Sequence, residues 1–190
     1  MDTKHIADLV EIEAEHMADV SIHSQPLLFT QAQQQELDSC LMRLADRIAA
    51  PLVMVTDISG RLILYRGRLS ASKSTALAAL AAGSFGAGVE MGNFLGLRDK
   101  NAFHQQLHEG KAANLFTVAI EDELLLVIVY TQRTTLGLVR VYSQTAQEEI
   151  LELVKAAKEA RAKAVLTADE MDRGGFGLAL TDQLDELFPD

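Results

Sequence analysis

STALAALAAGSFGAGVEMGNFLG, residues 74–96, decides the fold. It reads as a helix of mostly small residues, with Leu77, Leu80, Phe85, Val89, Met91, Phe94 and Leu95 as its bulky apolar positions. Gly83, Gly86, Gly88 and Gly92 lie inside it. A glycine in a helix interior costs about 1 kcal/mol against alanine, so this many need a reason. The missing side chain lets another backbone come close. Gly83, Gly86 or Ala87, and Glu90 share one face at i, i+3/4, i+7 spacing, while Leu80, Phe94 and Leu95 lie towards another. One side is expected to pack on a sheet and the flat, small-residue side to be left for a partner. Tight packing of the small side on the chain's own sheet is the alternative that periodicity leaves open.

Upstream, Leu52 to Asp57 and Arg61 to Arg66 are β-rich, joined by the turn Asp57-Ile58-Ser59-Gly60. Strands joined so tightly must be antiparallel. Before them, Thr30 to Ala50 reads as a helix. Thr30 and Gln33 make a capping-box pattern, Leu37, Leu41, Leu44 and Ile48 form one apolar stripe, and Pro51 stops it.

Downstream, Leu97 to His108 reads as a short helical continuation ending at Gly110. Ala113 to Glu121, Glu123 to Thr131 and Leu136 to Ser143 read as three further strands. Leu124 to Val129 is apolar at every position, which predicts a strand covered on both faces. Thr145 to Ala164 is a long helix with Ala146, Ile150, Leu153, Val154, Ala157 and Ala164 on its buried side. The order is αββαβββα. The expected fold is α+β: one five-stranded antiparallel sheet with helices on both faces.

The two ends differ from this middle. Residues 1–29 carry a weak helical pattern through Ile6, Leu9, Val10, Met17 and Val20 among acids, and read as an appended arm. Residues 165–190 read as a flexible acidic tail. After the break at Gly174-Gly175-Phe176-Gly177, Leu180, Leu184, Leu187 and Phe188 form a short amphipathic segment that either docks on something or frays. The domain between is expected over residues 30–164.

An apolar fraction of 48% supports a real core. A net charge of -10 disfavours nucleic acid and anionic membranes as partners. The single cysteine, Cys40, excludes an internal disulfide, fits a reducing compartment and reads as a packed thiol. No signal peptide precedes the domain, and the longest apolar run is too short to span a bilayer, so a cytoplasmic protein is expected.

Several stretches only imitate chemistry. Gly67-Arg68-Leu69-Ser70-Ala71-Ser72-Lys73-Ser74 is one residue away from a phosphate-binding loop, but Ser72 stands where the second glycine must be; Ser72 reads as a helix cap instead. Ser70 to Lys73 matches S-x-x-K without its companion elements. His104 and His108 have zinc-site spacing, but Gln105 replaces the catalytic glutamate and a third ligand is missing. His5, His16 and His23 share no ligand spacing. Neither a catalytic residue, a metal site nor a cofactor is expected.

Taken in order, these elements resemble the Roadblock family, whose members include dynein-associated light chains, and within it the bacterial gliding-polarity branch of the MglB type. The residues that carry the resemblance are Asp57 to Gly60, Leu77 to Gly83 (LAALAAG), Phe94-Leu95-Gly96, and Phe103 with His108-Glu109-Gly110. The most specific stretch is Arg133 to Arg140 (RTTLGLVR), and the acidic tail Asp182 to Phe188 adds to it. The match runs from about Thr30 to Ala164, with the tail, and leaves out residues 1–29.

The resemblance implies a homodimer. Central helices would pair through Ala79, Ala82 and Gly83, and an edge strand at Ala113 to Glu121 would join the sheets through Leu115 and Thr117. It further implies a platform of Gly83, Gly86, Ala87 and Glu90 that binds a small Ras-like GTPase of the MglA type. That platform would accelerate GTP hydrolysis by rearranging the GTPase's switch region without an arginine finger. A small residue is usual at the position of Glu90, so partner choice is open there. Recruitment to a cell pole through partners would follow. A scaffold of the same fold without effect on hydrolysis, a small-molecule sensor and an NTP-binding enzyme are the competing readings.

Overall fold

Residues 29–97 and 103–173 are described by a computed structural model of the chain. Helix α1 (Gln31–Arg47) starts from the capping box the sequence predicts: Gln33 N donates to Thr30 Oγ1 at 3.3 Å, and Thr30 N donates to Gln33 Oε1 at 2.9 Å. It ends with Ala49 at φ 48 and the amide of Ala50 bonded to the Ala45 carbonyl at 2.9 Å, just ahead of Pro51. Strands β1 (Leu52–Asp57) and β2 (Leu62–Gly67) follow as an antiparallel hairpin. Asp57 shapes its turn, accepting from Arg61 N at 2.8 Å and from Ser59 Oγ at 2.6 Å.

Helix α2 (Ala71–Phe94) contains the small-residue stretch. Strands β3 (Gln105–His108), β4 (Asn114–Ile120) and β5 (Leu124–Tyr130) come next, then the long helix α3 (Leu136–Arg173). The strands form one sheet in the order β2-β1-β5-β4-β3, antiparallel throughout. β5 is the central strand, flanked by β1 and β4, and helices cover both faces of the sheet there, which is why Leu124 to Ile128 are buried.

On one face, Leu37, Leu41, Leu44 and Ile48 of α1 and Val139, Ile150 and Val154 of α3 pack on Val53, Val55, Phe116 and Ile128. On the other, Ala78, Ala81 and Ala82 of α2 pack on Leu52, Met54, Leu125 and Val127. This is the expected α+β fold, one five-stranded antiparallel sheet with helices on both faces.

Three elements depart from the sequence reading. Leu136 to Ser143 is the start of α3 and not a strand. Its β-branched residues mislead, but the Oγ1 of Thr135 accepts from Leu138 N at 3.4 Å, and buried Val139, Ser143, Ala146 and Ile150 form one helical stripe. The fifth strand is Gln105–His108, expected as helix. It is short, polar and at the sheet edge, where pairing with β4 overrides local preference. As a result Ala113 to Glu121 is not an edge: its strand, β4, is paired on one side by β3 and on the other by β5.

α3 also runs on to Arg173, past the boundary expected at Ala164. Residues 1–28 of the arm, residues 98–102, and residues 174–190 of the tail lie outside the described residues. Among the described residues, no helix is long and apolar enough to cross a membrane.

Candidate functional site

α2 starts at Ala71, with Ser70 and not Ser72 in the capping position, and the two hydroxyls lie 3.3 Å apart. The preceding strand β2 is antiparallel to its only neighbour β1, unlike the parallel sheet of a phosphate-binding loop. The buried line of α2 is Ser74, Ala78, Ala81 and Ala82, with Leu77 and Phe85 half-buried beside it. Small side chains therefore do face the sheet and let the helix lie close to Met54 and Val127.

The rest of the small residues face away. Ala79, Gly83, Gly86, Ala87 and Glu90 stand on the outer side of the helix, where Gly83, Ala87 and Glu90 recur at helical spacing. A Cβ built on Gly83 or Gly86 meets nothing within 4 Å, so neither glycine is required by packing inside the chain. Both alternatives for the stretch hold in part: Ala78, Ala81 and Ala82 pack inward, while Gly83 and Gly86 face outward beside Ala79 and Ala87.

The bulky residues stand opposite to expectation. Leu80 and Leu95 are each 71% exposed and Phe94 is 95% exposed, with Met91 also in solvent. Their positions were legible as a stripe, since 80, 87, 91 and 94 recur at helical spacing through the outward alanine. The outer face of α2 is thus apolar along its length. Glu90 is the one charge between Ser74 and Leu97. An exposed, continuous apolar face marks a docking surface.

The expected dimer contacts divide. Ala79 and Gly83 lie on this face, whereas Ala82 is buried against the sheet and unavailable to a partner. Leu115 is half-buried under α2, and Thr117 is fully buried in the interior strand β4, so neither can join two sheets. The sheet has two edges, β2 and β3, and β3 is the one whose side chains bond to Ser84 of α2. Gln106 Nε2 donates to the Ser84 carbonyl at 3.4 Å, and His108 Nε2 lies 3.3 Å from Ser84 Oγ. These contacts place the edge strand alongside the outward face of the helix.

His104 precedes β3 and His108 is its last residue, so the pair stands on a strand rather than a helical turn. Among the described residues, no group of three or more His, Cys, Asp or Glu is placed to hold a metal ion. Cys40 is buried between α1 and α3, with Sγ 3.9 Å from the Ala146 carbonyl. Burial, reinforced by a hydrogen bond to Glu149, pushes its thiol up to about 12, which disfavours the thiolate at neutral pH.

Comparison with known proteins bears on this arrangement. Residues 43–130 match the family model of the Roadblock/LC7 domain. Among solved structures, the chain is similar to Myxococcus xanthus MglB at 29% identity, with a TM-score of 0.59 over 64% of this chain and 96% of that one. The gliding protein MglB of Thermus thermophilus matches at 20% identity and a TM-score of 0.62, over 70% of this chain and 98% of that one. A structure described as MglB with tetrameric arrangement matches at 20% identity and a TM-score of 0.63 over the same shares of 70% and 98%. The last two likenesses speak for the fold alone. A search of curated proteins returned no match.

Proposed function

Because residues 43–130 form a Roadblock/LC7 domain, we propose that the chain is a self-associating regulator that docks a small Ras-like GTPase of the MglA type on the outer face of α2. The observation that carries this reading is the open space over Gly83 and Gly86, combined with exposed Ala87, Met91 and Phe94. Two copies of α2 side by side would make a continuous apolar platform, and the free edge of β3 lies next to it for joining the sheets. The 29% identity to Myxococcus xanthus MglB supports the same reading.

The mechanism of the MglB type does without an arginine finger. The platform would bind the hydrolysis-competent arrangement of the GTPase's switch region better than the resting one. Differential binding of that kind is enough to shift the population towards it. Glu90 stands in the middle of the docking face as its single charge and would select a partner with a cation opposite. The protein supplies no catalytic residue, and any polar localisation would come through its partners.

A Roadblock scaffold with the same surface but no effect on hydrolysis is the second reading, favoured by Glu90 where a small residue is usual. A GTP hydrolysis assay of an MglA-type GTPase with and without this protein separates the two. Acceleration supports the activator. Binding without acceleration supports the scaffold.

A further inference from the structure

The register of the sheet sorts the charged loops. Gly67 of β2, Leu52 of β1 and Val129 of β5 stand side by side, Asn114 of β4 is opposite Tyr130, and His108 of β3 is opposite Leu115. At this end of the sheet α1 finishes, and α2 and α3 begin. The segments gathered here carry Arg47, Arg68, Lys73, Lys111, Arg133 and Arg140, against Asp46 and Glu109. The turns at the opposite end carry Asp57, Glu121, Asp122 and Glu123. A net charge of -10 therefore conceals a basic end, built from segments far apart in the sequence.

The two ends also differ in pairing. At the acidic end Arg61 lies 3.0 Å from Asp57, and Lys158 lies 2.7 Å from Glu123 and 3.8 Å from Glu121. At the basic end the Arg47 guanidinium sits 5.9 Å from the centre of the Tyr142 ring. Arg68, Lys73, Lys111, Arg133 and Arg140 are exposed, and among the described residues none of them makes an ion pair. The strands leading to Arg68 and Arg133, β2 and β5, flank β1 and lie about 10 Å apart. Arg68 N donates to the Pro51 carbonyl at 3.3 Å, and Arg133 N donates to Thr131 Oγ1 at 3.4 Å, which fixes both backbones. On the first turns of α3 beside them, Leu138 and Val141 are exposed.

We propose that this end of the sheet docks a short acidic, amphipathic segment of a partner protein. Its carboxylates would meet Arg68, Arg133 and Arg140, and its apolar side chains Leu138 and Val141. Exposed cations without ion-pair partners, next to an apolar pair, match that chemistry. Charges are screened beyond about 8 Å at physiological salt, so a short segment meets the basic end alone. A membrane or a nucleic acid extends past it and meets the acidic remainder of the chain. The acidic end of a second copy fits poorly, because Arg61 and Lys158 already pair with its carboxylates. The surface uses none of the residues proposed for GTPase docking, and the inference does not rest on that reading.

The probe is a synthetic helix of about 12 residues, about 18 Å long, with glutamates on one face and leucines on the other. Calorimetric titration into the full-length chain should show binding that weakens as salt is raised. Arg133→Glu with Arg140→Glu should lower the affinity by about tenfold or more and leave melting unchanged, since both side chains are exposed. Lys155→Glu with Lys158→Glu, further along α3, alters the net charge equally and should change the affinity by less than about twofold. Absence of binding by the full-length chain, or an equal loss in both double variants, would overturn the proposal. Binding to phosphatidylserine vesicles in place of the peptide would overturn it as well.

Discussion

Gly60, at the tip of the β1–β2 hairpin, lies so close to Ala79 that a Cβ added to it would sit 2.8 Å from the Ala79 Cα. Gly60 also has φ +89, a conformation that L side chains rarely adopt. The hairpin and α2 are therefore held backbone to backbone at Ala79, at the start of the exposed face proposed for docking. Gly60→Ala should destabilise the fold by about 2–4 kcal/mol, through both strain and displacement of the helix. Urea denaturation measures this; a variant as stable as the wild type would mean that the hairpin does not brace the helix.

Phe94→Asp tests the apolar face where it is most exposed. At 95% exposure Phe94 contributes little to the core, so melting should be unchanged. Self-association should weaken by about tenfold to a hundredfold, the effect of removing an aromatic anchor from an interface. Sedimentation velocity reads the result. Unaltered association would put the dimer contact elsewhere.

Much of this was legible in the chain, for identifiable reasons. α1 announced itself through its capping box and a single apolar stripe, and the hairpin through Asp57 and Gly60. β5 did so through its unbroken apolar run. The start of α3 was not legible, because Val139, Val141 and Tyr142 favour strands in isolation and only the line from Val139 to Ile150 makes them helical. β3 was not legible either, since Gln105, Gln106 and His108 carry no apolar alternation; the edge of β4 creates that strand. Of the site, spacing put Gly83 and Gly86 on one face but left open whether that face meets the sheet or solvent. The exposure of Phe94 and Met91 depends on which stripe meets the sheet, and alanines won that contact because they allow the closer approach.

Cys40 gives a pH dependence. Its thiol is pushed up from an ordinary 9.0 to about 12, mainly by burial. The folded state thus holds the proton more tightly than the unfolded state. The resulting stability is fully present below pH 9 and is lost as pH rises towards 12. Denaturation on either side of pH 9 should show a loss of a few kcal/mol at most, and Cys40→Ala should remove that component. A pH profile identical in wild type and variant would contradict the assignment. Cys40 should also resist alkylation in the native protein.

Arg133 is exposed in the loop that follows β5. If activation needs no arginine finger, Arg133→Ala should reduce GTPase acceleration only modestly. A finger residue contributes about 10³ to 10⁵ in rate. A loss on that scale with binding preserved would show that catalysis is supplied in trans.

Gly86→Arg tests the docking face most directly. A Cβ at Gly86 meets nothing within 4 Å, and arginine forms helices better than glycine, so the variant should fold and melt like the wild type. A guanidinium on the contact face would hold the GTPase away and bring an unpaired charge into a desolvated interface. GTP hydrolysis by an MglA-type GTPase, measured with wild type and with the folded variant, is the deciding measurement. The account predicts acceleration by the wild type and none by Gly86→Arg, with affinity lower by about a hundredfold or more. Undiminished acceleration by the folded variant would contradict it.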